Sequence, residues 1–296
     1  MKARFATPGA SRLAAWASIG FVPLWSSGII FGALALRYGP PFAVTAVRFA
    51  AATALLCGLA ALCRAPWPRG AALGHAAMVG LLLQGVHYGG IYAGLAAGMS
   101  AGVAALVVGL IPVATAIGAV PMLGERLTAR RAGASLLGAA AAALVSWSQL
   151  RIGSPAVLAL AALALAGGAG AALWQKRFGA GRADVPSVAI QLAVGTVVMA
   201  ICWFALERGG PGIDWSAGFL VPFAWTVIAN SVGATLLLLW LLARGAAGRV
   251  TGLFFLVPPV TAFAAAPILG EWPLPTTLIA IALGTAAVRL LMTERR

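Results

Sequence analysis

Apolar stretches of roughly twenty residues recur along the chain, each closed by a short break of charge, glycine or proline. A helix needs about 20 apolar residues to cross the hydrocarbon core of a bilayer. The pattern predicts ten such spans, at residues 13–35, 41–62, 72–94, 99–121, 130–148, 155–174, 186–205, 218–241, 248–268 and 275–291. The first follows Lys2, Arg4 and Arg12 and contains ALA at 33–35, which resembles a signal-cleavage site. Running from Leu13 to Ala35, it exceeds the ~7–15 residues of a signal h-region, so a retained first helix is expected.

The basic residues test this count. With the N-terminus inside, the loops on that side hold Lys2, Arg4, Arg12, Arg64, Arg69, Arg126, Arg130, Arg131, Lys176, Arg177, Arg182, Arg244, Arg249, Arg289, Arg295 and Arg296. The other side holds only Arg37, Arg151 and Arg208. Such an excess marks the cytoplasmic face, so both termini are expected there. A missed or invented span would scramble the alternation from that point on.

The chain also repeats itself. Residues 110–125, LIPVATAIGAVPMLGE, and 256–271, LVPPVTAFAAAPILGE, agree at nine of sixteen positions with a constant offset of 146. The same offset relates Gln84 to Asn230, Gly102 to Gly248 and Gly138 to Gly284. The first copy closes span 4 and the second closes span 9. Five is odd, so the two copies lie upside down relative to each other. The expected organisation is an all-α polytopic protein with two inverted five-helix repeats, residues 1–150 and 151–296. Inverted repeats recur in secondary transporters, with the substrate site between the halves.

Composition agrees with a bilayer rather than with water. The chain of 296 residues is 62% hydrophobic and 9% charged, against about 25% charged in an ordinary soluble domain. Its mean hydropathy is +0.99. The net charge of +14 is scattered through short loops and forms no single basic face, so nucleic acid is not an expected partner. Cys57, Cys63 and Cys202 lie in apolar runs with neither disulfide nor zinc spacing. They read as packing residues, and no metal or cofactor is expected.

Ten spans in two five-helix units, each with a proline in its fourth helix and LGE closing it, resemble the EamA family of the drug/metabolite transporter superfamily. AGVAALVVGLIPVATAIGAVPMLGERLTARRAGASLLGAAAAALV, residues 101–145, is the most specific part. Within the family the whole is most similar to bacterial aromatic amino-acid exporters. The resemblance implies a basket of helices around a central cavity, spans 5 and 10 packed outside it, a bacterial inner membrane, and export of amino acids or related metabolites. LGEWPLP in the second unit departs from the usual basic or polar residue after LGE.

Among candidate chemistry, an absence comes first. Glu125, Asp184, Glu207, Asp214, Glu271 and Glu294 all fall in loops or at span ends. Proton-coupled pumps rely on a carboxylate inside the membrane. Small multidrug exporters of the superfamily carry a glutamate in helix 1, where this chain reads FVPLWSSGIIFG. Cation exchange through a buried carboxylate is therefore not expected.

Span 3, LLLQGVHYGGIYAGL, places Gln84, His87 or Tyr88, and Tyr92 along one helical stripe. Facing inward, this stripe offers hydrogen bonds and rings to a substrate, with Asn230 at the equivalent place in span 8; the alternative is a network that only binds helices together. His87 also titrates near neutral pH when unperturbed, although a packing role is the simpler one. Arg48 is the one charge well inside a span. It either snorkels or pairs structurally, or it captures a substrate carboxylate. Trp25 with Ser26 and Ser27, and Trp174 with Gln175, open the two repeats and suit a planar side chain; for Trp174 the bilayer interface is the competing place. Pro112 and Pro258, each about a dozen residues into a helix, read as paired bends or hinges.

The expected function is secondary transport of a small molecule by a monomer in the lipid bilayer, by alternating access, facilitative or weakly coupled. A flippase for lipid precursors or nucleotide sugars is the alternative, and it would need a phosphate pocket for which only Arg48 is at hand. An enzyme needs convergent reactive groups, and a single core histidine without an acidic neighbour does not supply them.

Overall fold

The computed structural model of the protein describes residues 8–125, 128–152, 155–178, 184–243 and 256–292. Ten helical rods are found among them. They are α1 (Pro8–Ala35), α2 (Pro41–Leu62), a composite rod of α3 (Ala71–Val79), a π segment (Gly80–His87) and α4 (Tyr88–Ala96), then α5 (Ala101–Leu123), α6 (Ala129–Ile152), α7 (Pro155–Phe178) and α8 (Val185–Leu206). A second composite rod joins α9 (Ala217–Ala224), a π segment (Trp225–Ala234) and α10 (Thr235–Ala243), followed by α11 (Val257–Leu269) and α12 (Pro275–Met292).

Local chemistry starts and stops these rods. Pro41 occupies the first turn of α2, where an N–H would have no helical partner. Ser100 caps α5 by accepting from the Val103 N–H at 3.2 Å, and Asp184 caps α8 through the Ser187 N–H at 3.0 Å. The repeated LGE phrase has a structural meaning. Gly124 and Gly270 end α5 and α11 at φ +66° and +76°, a left-handed turn that glycine enters without a Cβ clash.

Among the described residues, six helical stretches are long and apolar enough to cross a membrane. Their outward residues are large and apolar, such as Leu62, Ile201, Val221 and Ile228, as a lipid-facing surface requires. Inside, α2 packs on α8, α5 on α11, and α6 on α12. α5 also meets α7, and α11 meets α1; the first π segment meets α7 and α8, and the second meets α1 and α2. Small residues permit the close crossings: a Cβ on Gly109 would stand 2.8 Å from the Pro258 ring, and one on Gly102 3.3 Å from the Ala262 Cβ.

Two expectations need correction here. Pro112 lies inside α5 as expected, but the described α11 begins at Val257, so Pro258 stands in its first turn. There proline removes no helical hydrogen bond, and a kink a dozen residues into this helix is not what the described residues contain. The expected residues 248–255 of that span, with Gly248, lie outside the described residues, as do Lys2, Arg4, Arg126, Arg182, Arg244, Arg249, Glu294, Arg295 and Arg296. The three cysteines are unpaired, and Cys63 is exposed just beyond α2 rather than packed.

Candidate functional site

Arg48 sits two turns into α2 and is only 3% exposed. Its side chain does not run out to the interface. It turns across the bundle: Nε donates to Ser231 Oγ at 3.0 Å, one terminal nitrogen donates to Asn230 Oδ1 at 2.6 Å, and the other bonds the Tyr92 hydroxyl. Snorkelling is thus replaced by pairing, because three neutral oxygens meet the guanidinium at depth. The rings of Tyr92, Phe49 and Tyr88 lie 5.5, 5.8 and 6.0 Å from its central carbon, within cation–π reach.

The composite rods bring these partners in. A π segment adds a residue to a helical turn and rotates the residues beyond it, and such insertions gather at functional sites. The first carries Gln84 and His87, the second Asn230 and Ser231. Glycines in α1 then let the partners lie against the backbone. A Cβ on Gly28 would coincide with the Asn230 amide, and one on Gly32 would meet the Tyr92 hydroxyl at 2.5 Å. Asn230 Nδ2 faces the carbonyls of Leu24 and Trp25 at 3.5 and 3.4 Å, which leaves Oδ1 for Arg48 and settles which way the amide points.

Magnitudes explain why this arrangement is unusual. A buried ion without a counter-charge costs several kcal/mol even after relaxation. Hydrogen bonds to a charged group return about 1.5–3 kcal/mol each, so three of them make Arg48 tolerable without neutralising it. The carboxylates of Glu207, Glu271 and Glu125 are engaged at helix ends instead. Glu207 accepts from the Phe42 and Ala43 N–H groups at 3.0 Å, Glu271 from the Ala101 N–H at 2.7 Å, and Glu125 pairs with Lys176.

The stripe expected in span 3 divides in two. Tyr88 and Tyr92 lean towards α2 and Arg48, and Gln84 packs on α8 at Gly195. Gln84 is 8% exposed. His87 points the other way, into α7, where its Nδ1 is 2.8 Å from the Ala164 carbonyl and its backbone lies against Gly167. A carbonyl only accepts, so Nδ1 carries the proton.

The remaining expected residues scatter. Trp25 is half-buried and packs on Phe21 and on the buried clusters formed by Phe21 with Leu241 and by Val22 with Ala105 and Val257. Ser26 is buried and donates to the Val257 carbonyl at 3.5 Å, while Ser27 accepts from Trp225 Nε1 at 2.9 Å. Trp174 joins His75 and Phe178 in an aromatic cluster at the end of α7, with its Nε1 buried and unpartnered. Its ring neighbours are therefore not those of Arg48. Sequence reading passed over Ser231, Gly28 and Gly32. The glycines carry a legible signal, the four-residue spacing of small residues that lets helices approach; Ser231 becomes visible only through the π turn.

Residues 12–147 match the model of the EamA-like transporter family. No curated protein matches the chain. The fold is similar to a crystal structure of another protein that is 19% identical, with a TM-score of 0.56, over 96% of this chain and 99% of that one. At that identity the likeness concerns the fold alone. The long apolar helices and the match to residues 12–147 together make the chain a multi-pass membrane protein with an EamA-like transporter segment.

Proposed function

We propose that the whole chain is an EamA-type secondary transporter that exports amino acids, with aromatic ones as first candidates, or related small metabolites. It works as two inverted halves, residues 1–150 and 151–296, in a bacterial inner membrane with both termini in the cytoplasm. Alternating access moves substrate without a buried carboxylate to carry protons, so transport is facilitative or weakly coupled.

The observation that carries this reading is the group around Arg48. Arg48 and Tyr92 come from the first half, Asn230 and Ser231 from the second, and they meet buried inside the bundle. A substrate held there would touch both halves at once, as rocking around a fixed site requires. The helix pairings support the two-fold arrangement. When each rod is exchanged for its counterpart five rods along, α5 on α7 becomes α11 on α1, and the first π segment on α8 becomes the second on α2. The two π segments also lie close to the 146-residue offset.

Uptake of labelled amino acids into proteoliposomes, with and without a pH gradient, tests the proposal. Downhill flux without the gradient is expected. Strict dependence on the gradient would overturn the facilitative mechanism, and absence of flux for every amino acid would overturn the substrate class.

A further inference from the structure

We infer that Arg48 is a subsite for a single carboxylate, so that what the protein recognises first is a monocarboxylate, with or without an amino group. The inference rests on the site proposed above and goes further in naming the charge its ligand must bring.

Three observations lead there. Arg48 is buried as a cation while its hydrogen-bonding partners, Tyr92, Asn230 and Ser231, are all neutral. Their oxygens stand where the oxygens of an anion would be held by the guanidinium fork, whose planar geometry matches a carboxylate. Four carboxylates are already engaged at helix ends, Glu207 with α2, Glu271 with α5, Asp184 with α8 and Glu125 with Lys176.

Charge then selects the ligand class. The carboxylate neutralises the guanidinium itself, and a monocarboxylate without an amino group brings the whole loaded site to neutrality. A phosphate dianion would leave an excess negative charge in the core, and an amine would add a second positive one; both are disfavoured where the dielectric is low. An α-ammonium group would find only neutral acceptors nearby. The Gln84 amide oxygen and the Tyr88 hydroxyl can accept from it, but they serve a hydroxyl equally well. The amino group is thus secondary, and the carboxylate is required.

Competition and thermal stability measured on the purified full chain separate these ligands. The probes are L-phenylalanine, 3-phenylpropionate and phenethylamine, which share a side chain and differ in charged groups, with inorganic phosphate as the dianion. Both carboxylates should stabilise the wild-type protein and compete with each other within about tenfold in concentration. Phenethylamine and phosphate should do neither. Arg48→Lys should weaken carboxylate binding by about tenfold or more and Arg48→Gln should abolish it. The wild-type comparison stands even if a variant fails to fold. Equal recognition of phenethylamine, or no recognition of 3-phenylpropionate, overturns the inference. Binding of both carboxylates without amino-acid flux would sustain it while ending the amino-acid export reading; flux of phenylalanine with no response to 3-phenylpropionate would do the reverse.

Discussion

Arg48 of α2 donates to Asn230 of the second π segment at 2.6 Å, across 182 residues of sequence. The guanidinium is charged and the amide is neutral, so this bond holds the site together without settling its charge.

Asn230→Asp should settle it. A built-in carboxylate beside Arg48 neutralises the buried cation and competes with any ligand for it. Thermal unfolding in detergent should move to higher temperature, while substrate flux in proteoliposomes falls by about tenfold or more. A variant that binds and transports as well as the wild type would remove Arg48 from the site.

The α1 glycines give a steric prediction. Gly28→Ala places a Cβ on the Asn230 amide, which is held by Arg48 and by the carbonyls of Leu24 and Trp25. A cost of about 1–3 kcal/mol is expected, together with lost flux. Gly20→Ala, in the same helix with nothing within 4 Å of the new Cβ, should be neutral or stabilising by up to about 1 kcal/mol. Unfolding curves of the two variants check the contrast.

His87 should matter for stability and not for proton coupling. It is 2% exposed and donates into α7 at Ala164. His87→Leu removes that donor and should cost about 1–3 kcal/mol, whereas His87→Gln keeps one and should lose less. Flux measured between pH 5 and 8 should keep its profile in both variants; a flattened profile would return His87 to the transport mechanism.

Glu271 is placed to steady α5. Its carboxylate accepts from the Ala101 N–H at the helix start, where a negative charge meets the positive end of the helix dipole. Glu271→Gln should lower stability by about 1 kcal/mol, read as a lower unfolding temperature, with little change in substrate affinity.

Inversion of the halves is checked by cysteine labelling. Single cysteines next to Glu125 and next to Glu271, in a chain cleared of Cys57, Cys63 and Cys202, should react with an impermeant reagent from opposite faces of the membrane. Reaction of both from one face would overturn the two-half arrangement.

Much of the architecture was legible along the chain, because a bilayer imposes a coarse rule. Backbone polar groups cannot be left unpaired in hydrocarbon, so long apolar runs become helices, and rods form at nine of the predicted spans much as expected. The tenth, α11, is described only from Val257. The repeated LGE was readable as a repeat, and its reason, a left-handed glycine closing α5 and α11, needed the backbone angles.

The sequence by itself determined the helices, their near-constant spacing and the presence of one cation in an apolar core. Only the tertiary structure decided where that cation points and who meets it. Periodicity in span 3 assumes 3.6 residues per turn, and the π segment at Gly80–His87 breaks that assumption, turning His87 towards α7 and leaving Tyr88 and Tyr92 towards Arg48. Ser231 lies far from Arg48 in the chain and joins it, while Gly28 lies against Asn230, through packing of α1, α2 and the second π segment. Such contacts depend on rotation and distance between rods, which no pattern along one rod encodes.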